Sequence, residues 1–203
     1  MNKLVFDVGA NVGEKTLEFL RNGDTVVCFE PQPGCAAELR KKFTAVGVKV
    51  VEKAVGERPG KLPMHICDST SVISTLSDEW MSGRHKDFKW TKSIDVDITT
   101  LDLAIAEFGT PRHIKIDVEG FELQVLLGLS HKVDSLCFEF TKEFLDSAKK
   151  CLLRLSALGY TRFNFCRGEN PNFVLPSPVP LNTFMCSLLD VQEADFWGDI
   201  YAF

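Results

Sequence analysis

Lys3-Leu-Val-Phe-Asp-Val-Gly-Ala-Asn-Val-Gly13 is the most informative stretch of this sequence. Apolar residues surround Asp7 in a predicted strand, and Gly9 and Gly13 follow it in a loop. A helical pattern then begins, with leucines on one side and charged residues on the other. A strand, a glycine-rich turn and a helix in this order let main-chain N–H groups approach a bound molecule closely.

The next predicted strand, Thr25-Val-Val-Cys-Phe-Glu30, also ends in an acidic residue. In open α/β folds, an acid at the end of the second strand commonly accepts hydrogen bonds from the hydroxyls of a ribose. Together with the glycine loop, Glu30 therefore indicates a site for a nucleoside.

The spacing of the loop favours one class of nucleoside. Dinucleotide-binding folds use G-x-G-x-x-G, whereas this loop reads D-x-G-x-x-x-G from Asp7 to Gly13. A carboxylate at Asp7 would repel a pyrophosphate and attract a cation. S-adenosylmethionine carries a sulfonium and an ammonium, and an acid-first pattern of this kind opens class I methyltransferases. Two alternatives stay open here: a nicotinamide-dependent oxidoreductase, and a loop in which Asp7 only caps the turn.

Length and composition limit the other function classes. The 203 residues suit a single domain over 1–203, and 45% hydrophobic with 25% charged residues is typical of a soluble protein. No apolar run approaches the ~20 residues of a membrane span, so no membrane association is expected. The seven cysteines form no C-x-x-C pair, which favours reduced thiols and a cytoplasmic location. The net charge of −5 argues against nucleic-acid binding.

Strands and helices alternate along most of the chain, which predicts a mostly parallel sheet covered by helices. After Glu30, the pattern predicts a third strand at Val48–Val55, a short extra strand at Lys61–Cys67 and further strands at Ile94–Ile98, His113–Asp117 and Ser135–Phe140. Tyr160–Cys166 and Thr183–Leu188 are predicted as a terminal antiparallel hairpin. Helices are expected at Cys35–Phe43, Leu101–Phe108, Glu122–Leu129 and Glu143–Leu158.

This regular alternation fails between Asp68 and Ser93, where serine, threonine and charged residues dominate. A long irregular segment inside a compact domain is usually a functional lid or a disordered loop. We predict that residues 68–93 form a mobile insertion over the acceptor side of the site. The alternative is a solvated loop anchored by its aromatic residues.

Several motifs together resemble the FkbM family of S-adenosylmethionine-dependent methyltransferases. They are Phe6-Asp-Val-Gly-Ala-Asn-Val-Gly13, Phe29-Glu-Pro31, Ala54-Val-Gly56, Thr100-Leu-Asp102, Ile114-Lys-Ile-Asp-Val-Glu-Gly-Phe-Glu122 and Trp197-Gly-Asp-Ile-Tyr-Ala202. The resemblance implies a Rossmann-like class I methyltransferase fold with seven strands, the last antiparallel. It also implies methyl transfer to a hydroxyl of a small molecule, a saccharide or a natural-product scaffold. A non-catalytic module that binds S-adenosylmethionine is a further alternative.

The resemblance and the strand ends together suggest a set of cofactor-binding residues. Asp7, Gly9, Ala10, Asn11 and Gly13 are expected around the methionine end of the cofactor, Glu30 with Pro31 at the ribose, and Ala54 with Val55 at the adenine. Lys115 and Ile116 are interpreted as strand packing and surface.

The remaining acids at the strand ends are candidates for chemistry. A hydroxyl acceptor loses a proton during methyl transfer, so Asp117 and Glu119 are predicted as catalytic bases, with His85 and His113 as weaker candidates. Glu122 and Glu139 are predicted to bind the acceptor. Asp117, Glu119 and Glu139 also have the oxygen chemistry that suits Mg²⁺, although their spacing does not require a metal.

Overall fold

The computed structural model describes residues 3–83, 85–168, 170–193 and 195–203. Ten strands are formed by Leu4–Val8 (β1), Thr25–Phe29 (β2), Lys49–Val51 (β3), Ala54–Val55 (β4), Gly60–Ile66 (β5), Lys92–Thr99 (β6), His113–Ile116 (β7), Ser135–Thr141 (β8), Phe163–Phe165 (β9) and Trp197–Ala202 (β10). Seven α-helices are formed by Glu14–Arg21 (α1), Pro33–Phe43 (α2), Asp78–Ser82 (α3), Leu101–Phe108 (α4), Glu122–Leu127 (α5), Leu145–Ala157 (α6) and Leu181–Leu189 (α7). No helix in these ranges is both long and apolar enough to cross a membrane.

Seven of the strands form one sheet in the order β3-β2-β1-β7-β8-β10-β9. The pairs from β3 to β8 are parallel, whereas β10 runs antiparallel to both β8 and β9. This arrangement confirms the predicted α/β class I methyltransferase fold, with its last strand antiparallel. The chain passes from β1 outward to β3 and returns to β7 on the other side of β1. Ligands of open α/β sheets bind at such a reversal, beyond the carboxyl ends of the strands.

The two faces of this sheet differ in chemistry. One face carries Phe6, Phe29, Ile114 and Phe138, which are buried in one core with side chains of α4, α5, α6 and α7. Phe6 and Phe29 pack edge to face with their ring centroids 5.4 Å apart. This core holds the sheet, and thereby the strand ends, in a fixed arrangement.

The opposite face carries polar residues in register across neighbouring strands. Asp7 lies in register with Cys28 of β2 and with Lys115 of β7, and Lys115 lies in register with Cys137 of β8. Neighbouring residues in register project to the same side of a sheet. Asp7 and Lys115 therefore share one face, close to the end of the sheet where a ligand is expected.

A second sheet of three strands, in the order β4-β6-β5, lies outside the main one. Ala54, Met64, Val96 and Ile98 form its buried cluster. The predicted third strand over Val48–Val55 is wrong in extent, because the chain divides there into β3 and β4, which belong to different sheets. The two short pieces are separated by the exposed residues Glu52 and Lys53.

The predicted hairpin at the C-terminus is also wrong. Thr183–Leu188 lies inside helix α7, and β10 is formed instead by Trp197–Ala202. Phe184 and Leu188 are buried and lie four residues apart, which is the spacing of one helix face. Their apolar neighbours obscured this period in the sequence.

Candidate active site

Gly9 lies where the loop after β1 meets the end of β7, at the centre of the site. Its φ angle is 82°, which favours glycine, and a Cβ atom at this position would collide with the carbonyl oxygen of Asp117. The loop after β1 and the end of β7 therefore touch through backbone atoms. Gly13 has a different role: a Cβ atom there would collide with the side chains of Phe43 and Leu39, so Gly13 allows close packing of α1 on α2.

Asp7 is almost completely buried, with 2% of its surface exposed. Thr16 donates a hydrogen bond of 2.5 Å to Oδ2 of Asp7. Burial raises the pKa of the Asp7 carboxyl to about 6, and the bond from Thr16 and the charge of Lys115 offset part of this effect. A ligand with a positive charge would favour the ionised form of Asp7.

Glu30 receives two backbone hydrogen bonds from the loops around it. The N–H of Asn11 donates to its Oε2 at 2.8 Å, and the N–H of Gln32 donates to its Oε1 at 2.7 Å. Burial raises the pKa of Glu30 to about 7 in spite of these bonds. A carboxylate oxygen has further acceptor capacity after one such bond, so Glu30 can still accept hydroxyl groups of a ligand.

A cavity of about 190 Å³ opens beside these two acids. Its walls bring together most of the residues predicted from the sequence: Asp7, Gly9, Ala10, Asn11, Glu30, Pro31, Ala54, Val55, Asp117 and Glu119. Gly13 is not among the lining residues. The predicted cofactor loop and the predicted bases thus border the same space.

Part of the irregular segment 68–93 also lines this cavity. Val72, Ser74 and Leu76 contribute to its wall, together with Met64 of β5. The hydroxyl of Ser71 donates to Oδ1 of Asn11 at 3.3 Å, so this part of the segment lies against the loop after β1. No periodicity in the sequence could have identified these residues. The predicted role of the segment on the acceptor side stays a prediction.

The position of Lys115 in the structure changes the role that was expected for it from the sequence. Its side chain was expected to pack in the strand or lie at the surface, yet only 3% of its surface is exposed and it lines the cavity. Its Nζ lies 2.6 Å from Oδ1 of Asp199 and 3.1 Å from Oδ2 of Asp117. Burial alone would lower the pKa of Lys115, but these two carboxylates outweigh it and hold the pKa well above its usual value.

The sequence Ile114-Lys-Ile-Asp117 could have predicted that Lys115 is buried beside Asp117. Alternation in a strand places Lys115 and Asp117 on one face and the two isoleucines on the other. A buried lysine requires a carboxylate partner, and Asp117 stands two residues away. The second partner, Asp199, follows 84 residues later on β10 and could not be identified from local spacing.

Asp117, Glu119 and Glu139 form a cluster of three carboxylates. One oxygen of each residue lies within 4.8 Å of the others. Burial and the charges of Asp117 and Glu119 raise the pKa of Glu139 well above its ordinary value. Three carboxylates could ligate Mg²⁺, but Lys115 already places a positive charge beside Asp117. Lys115 is shared with Asp199, so this single cation does not balance all three carboxylates.

The turn that carries Glu119 has an unusual backbone. Glu119 has a φ angle of 56° and Gly120 one of 91°. The carbonyl of Glu119 accepts a 2.6 Å hydrogen bond from the hydroxyl of Thr75, and Oε1 of Glu122 accepts bonds from the N–H groups of Val118 and Gly120. A non-glycine residue in this region costs free energy and persists only where its surroundings hold it.

Glu122 thus has one oxygen engaged in this turn. Its side chain is buried, which raises its pKa to about 7. It was predicted to bind the acceptor, and the structure places it beside Glu139 in the wall of a second, smaller cavity. Its binding role stays a prediction.

The two histidines that were predicted as weaker candidates for the base, His85 and His113, do not line the main cavity. His113 begins β7, at the end away from Asp117, and its Nδ1 is 2.9 Å from the hydroxyl of Ser135. Burial lowers the pKa of His113 to about 4. The ring of His85 packs against Trp80 and Phe88 with centroid distances of 5.0 and 5.6 Å.

Comparisons with known proteins find similarity to methyltransferases. A family model described as the methyltransferase FkbM domain matches residues 7–162. The chain is 26% identical over 160 residues to methyltransferase sdnD of Sordaria araneosa, covering 64% of this chain and 62% of that protein. It is 24% identical over 164 residues to methyltransferase 1 of Beauveria bassiana, covering 72% of this chain and 66% of that protein.

A solved structure of methyltransferase FkbM from Methylobacillus flagellatus shows the same fold, with a TM-score of 0.56 at 17% identity. That alignment covers all of this chain and 44% of the other, so this chain spans less than half of that protein. The family model covers more than half of the present chain and includes both the acid-first loop and the Asp117 cluster. This protein belongs to the FkbM methyltransferase family.

Proposed function

We propose that this chain is an S-adenosylmethionine-dependent methyltransferase that transfers a methyl group to a hydroxyl of a small-molecule or saccharide acceptor. The observation that carries the proposal is the cavity shared by Asp7, Glu30 and the Asp117–Glu119 carboxylates. Such a cavity joins a site for a cationic nucleoside to groups that can accept a proton. Membership of the FkbM family supports the same reaction class.

The residues on the cavity wall suit the parts of this cofactor. Asp7 offers a buried carboxylate to the positively charged methionine end, and Glu30 offers its remaining acceptor capacity to the ribose hydroxyls. Ala54, Val55 and Leu76 provide an apolar wall for the adenine. S-adenosylmethionine supplies an electrophilic methyl group on a positively charged sulfur.

The acceptor side requires a proton acceptor and a fixed geometry. Asp117 and Glu119 border the cavity, so either carboxylate can take the proton of a hydroxyl held there. Lys115 binds Asp117 at 3.1 Å and restricts its orientation. Methyl transfer is an in-line displacement, for which positioning of this kind contributes much of the rate.

The proposed setting of the reaction is the cytoplasm, with neither a membrane nor a nucleic acid as partner. The seven cysteines of the sequence are all free thiols in the structure, which suits a reducing compartment. The net charge of −5 is unfavourable for binding a polyanion.

Calorimetry and an acceptor screen test the proposal in sequence. S-adenosylmethionine should bind in a one-to-one ratio, whereas NAD should not bind, and NAD binding alone would support an oxidoreductase instead. A panel of sugars, polyols and phenols is then assayed for release of S-adenosylhomocysteine. Cofactor binding without turnover of any acceptor would favour a non-catalytic module, and turnover of an amine in place of a hydroxyl would overturn O-methylation.

A further inference from the structure

A second cavity lies beside Glu139. Its volume is about 20 Å³, enough for one water molecule or one hydroxyl group. It is bordered by α3, the turn before α5, the end of β8 and the start of α6. Glu139 and Glu122 form part of its wall, so the cavity adjoins the proposed catalytic carboxylates.

Two residues of this wall carry a buried polar group that has no hydrogen-bond partner. Nε1 of Trp80 and Oγ1 of Thr141 are buried and unpartnered within the part of the chain that the structure describes. Trp80 is 5% exposed and Thr141 is 3% exposed. More than nine-tenths of buried polar groups in proteins are hydrogen-bonded, so two orphans beside one small cavity indicate a missing partner.

Other contacts hold these two groups in place. The ring of Trp80 packs against Phe144 with a centroid distance of 5.4 Å, and its backbone N–H donates a hydrogen bond of 3.3 Å to the hydroxyl oxygen of Ser77. A Cβ atom at Gly120 would lie only 3.1 Å from the Trp80 ring. Thr141 is the last residue of β8. The orphaned groups therefore belong to a preformed site and not to a loose surface.

The chemistry of the wall selects the group that fits. The indole N–H of Trp80 only donates, so the missing partner must accept a hydrogen bond. The carboxyl groups of Glu139 and Glu122 disfavour an anion at this point, and an ammonium could not accept from Trp80. A carbonyl could accept from both Trp80 and Thr141, but it could not donate to a carboxylate. A hydroxyl group of a ligand meets all of these requirements and fits the volume, as a single water molecule also does.

We propose that this cavity is a subsite for a second hydroxyl of the acceptor, bound between Trp80 and Thr141, and that the acceptor is therefore a polyol or a monosaccharide. This inference rests on the proposed function, because the first hydroxyl is the one methylated beside Asp117 and Glu119. Glu139 connects the two sites. One of its carboxylate oxygens lies within 4.8 Å of a carboxylate oxygen of Asp117 and of Glu119, and Glu139 also lines the second cavity.

The indole N–H of Trp80 offers a direct probe. Protein labelled with ¹⁵N and saturated with S-adenosylhomocysteine is titrated with glycerol, methyl α-glucoside and, as a one-hydroxyl control, 1-propanol. Trp80→Phe assigns the Trp80 indole signal among those of the three tryptophans. We expect a saturable downfield shift of this signal with the two polyhydroxy probes and no saturation with 1-propanol.

Isosteric variants separate the hydrogen bonds from the shape of the cavity. Thr141→Val keeps the volume of Thr141 and removes its hydroxyl, and it should weaken binding of methyl α-glucoside about five- to tenfold. Thr161→Val removes an exposed hydroxyl at the opposite end of the sheet and should leave that affinity unchanged. Both Thr141→Val and Trp80→Phe should leave the affinity for S-adenosylhomocysteine unchanged.

Three results would overturn the subsite. They are an indole signal that no probe shifts, an equal response to 1-propanol, and a Thr141→Val variant with unchanged affinity. A crystal structure with methyl α-glucoside that shows only an ordered water between Trp80 and Thr141 would also overturn it. Failure of S-adenosylhomocysteine to bind in the same samples would count against the proposed function, whereas cofactor binding without a probe response counts against the subsite alone.

Discussion

Buried and half-buried carboxylates lie near one edge of the main sheet in both of its halves, and they are stabilised differently in each half. At β1 and β2, Asp7 and Glu30 are buried, and the hydrogen bonds that they accept from Thr16, Asn11 and Gln32 come from neutral groups. At β7 and β10, Asp117 and Asp199 are ion-paired to the buried Lys115. The first half has pKa values raised to about 6 and 7, whereas the second half contains its own cation.

This difference indicates which half depends on a ligand. Burying a carboxylate without a partner charge is costly, and a bound cation relieves that cost. The β1–β2 half is therefore suited to a positively charged cofactor, and the β7–β10 half is suited to hold its own carboxylates in place. Four predictions test this division, in order of decreasing effect.

The largest effect is expected at the proposed bases. Asp117→Asn or Glu119→Gln should lower kcat by about 10²–10⁴-fold, the usual contribution of a general base, while S-adenosylmethionine still binds. The measurement is kcat against pH with an identified acceptor, in EDTA and in added Mg²⁺. Asp97→Asn, at an exposed strand residue, serves as the control.

Unchanged kcat in both variants would remove the two residues from the chemistry. Loss of wild-type activity in EDTA that is restored by Mg²⁺ would make them metal ligands instead of bases. Either result would alter the interpretation of the β7–β10 half.

The ion pairs of Lys115 should dominate the stability of that half. Lys115→Met leaves Asp199 buried without its cation, so the free energy of unfolding should fall by about 3–5 kcal/mol. Urea denaturation measures this loss, and the double variant Lys115→Met/Asp199→Asn should recover part of it. Lys61→Met breaks an exposed pair with Asp97 and should cost no more than about 1 kcal/mol. Equal losses for the two single variants would show that Lys115 is not the central cation.

The β1–β2 half should dominate cofactor affinity. Asp7→Asn and Glu30→Gln should each weaken S-adenosylmethionine binding by about 1–3 kcal/mol, because polar groups of the ligand lose their partner in a buried site. Calorimetry at pH 8 measures the change, with Glu18→Gln on the exposed side of α1 as the control. Wild-type affinity in both variants would place the cofactor elsewhere.

The smallest effect is expected on the pH dependence of the free energy of unfolding. Because the folded-state pKa of Asp7 is raised from 3.8 to about 6, its contribution to stability is complete below about pH 4 and is lost as the pH rises through 6. Without ligand, Asp7→Asn should therefore match the wild type at pH 4 and exceed it in stability at pH 8. The difference should grow by at most about 1.4 kcal/mol per pH unit.

Binding of the cofactor should show the opposite trend. A cation favours ionised Asp7, so wild-type affinity for S-adenosylmethionine should rise between pH 5 and 7, and Asp7→Asn should flatten this rise. Thermal unfolding and calorimetry across that interval provide both curves. A flat wild-type binding curve would mean that Asp7 does not face the positive charge.

The sequence by itself determined most of the order of strands and helices, the glycine turn and most of the predicted residues that line the main cavity. These features are local: a strand period of two, a loop that requires glycine, and acids placed at strand ends. Asp7, Glu30 and Asp117 could be identified because the carboxyl ends of parallel strands must meet at one edge. The family resemblance depended on the same local motifs.

Only the tertiary structure decided the partners that come from distant parts of the chain. Asp199 reaches Lys115 because β10 inserts next to β8, and Ser71 reaches Asn11 because the irregular segment folds back onto the loop after β1. The orphaned Trp80 and Thr141 likewise meet at a cavity that no sequence period predicts. Burial and long-range pairing are properties of the packed chain, and for this reason the charge balance of the site appeared only in the structure.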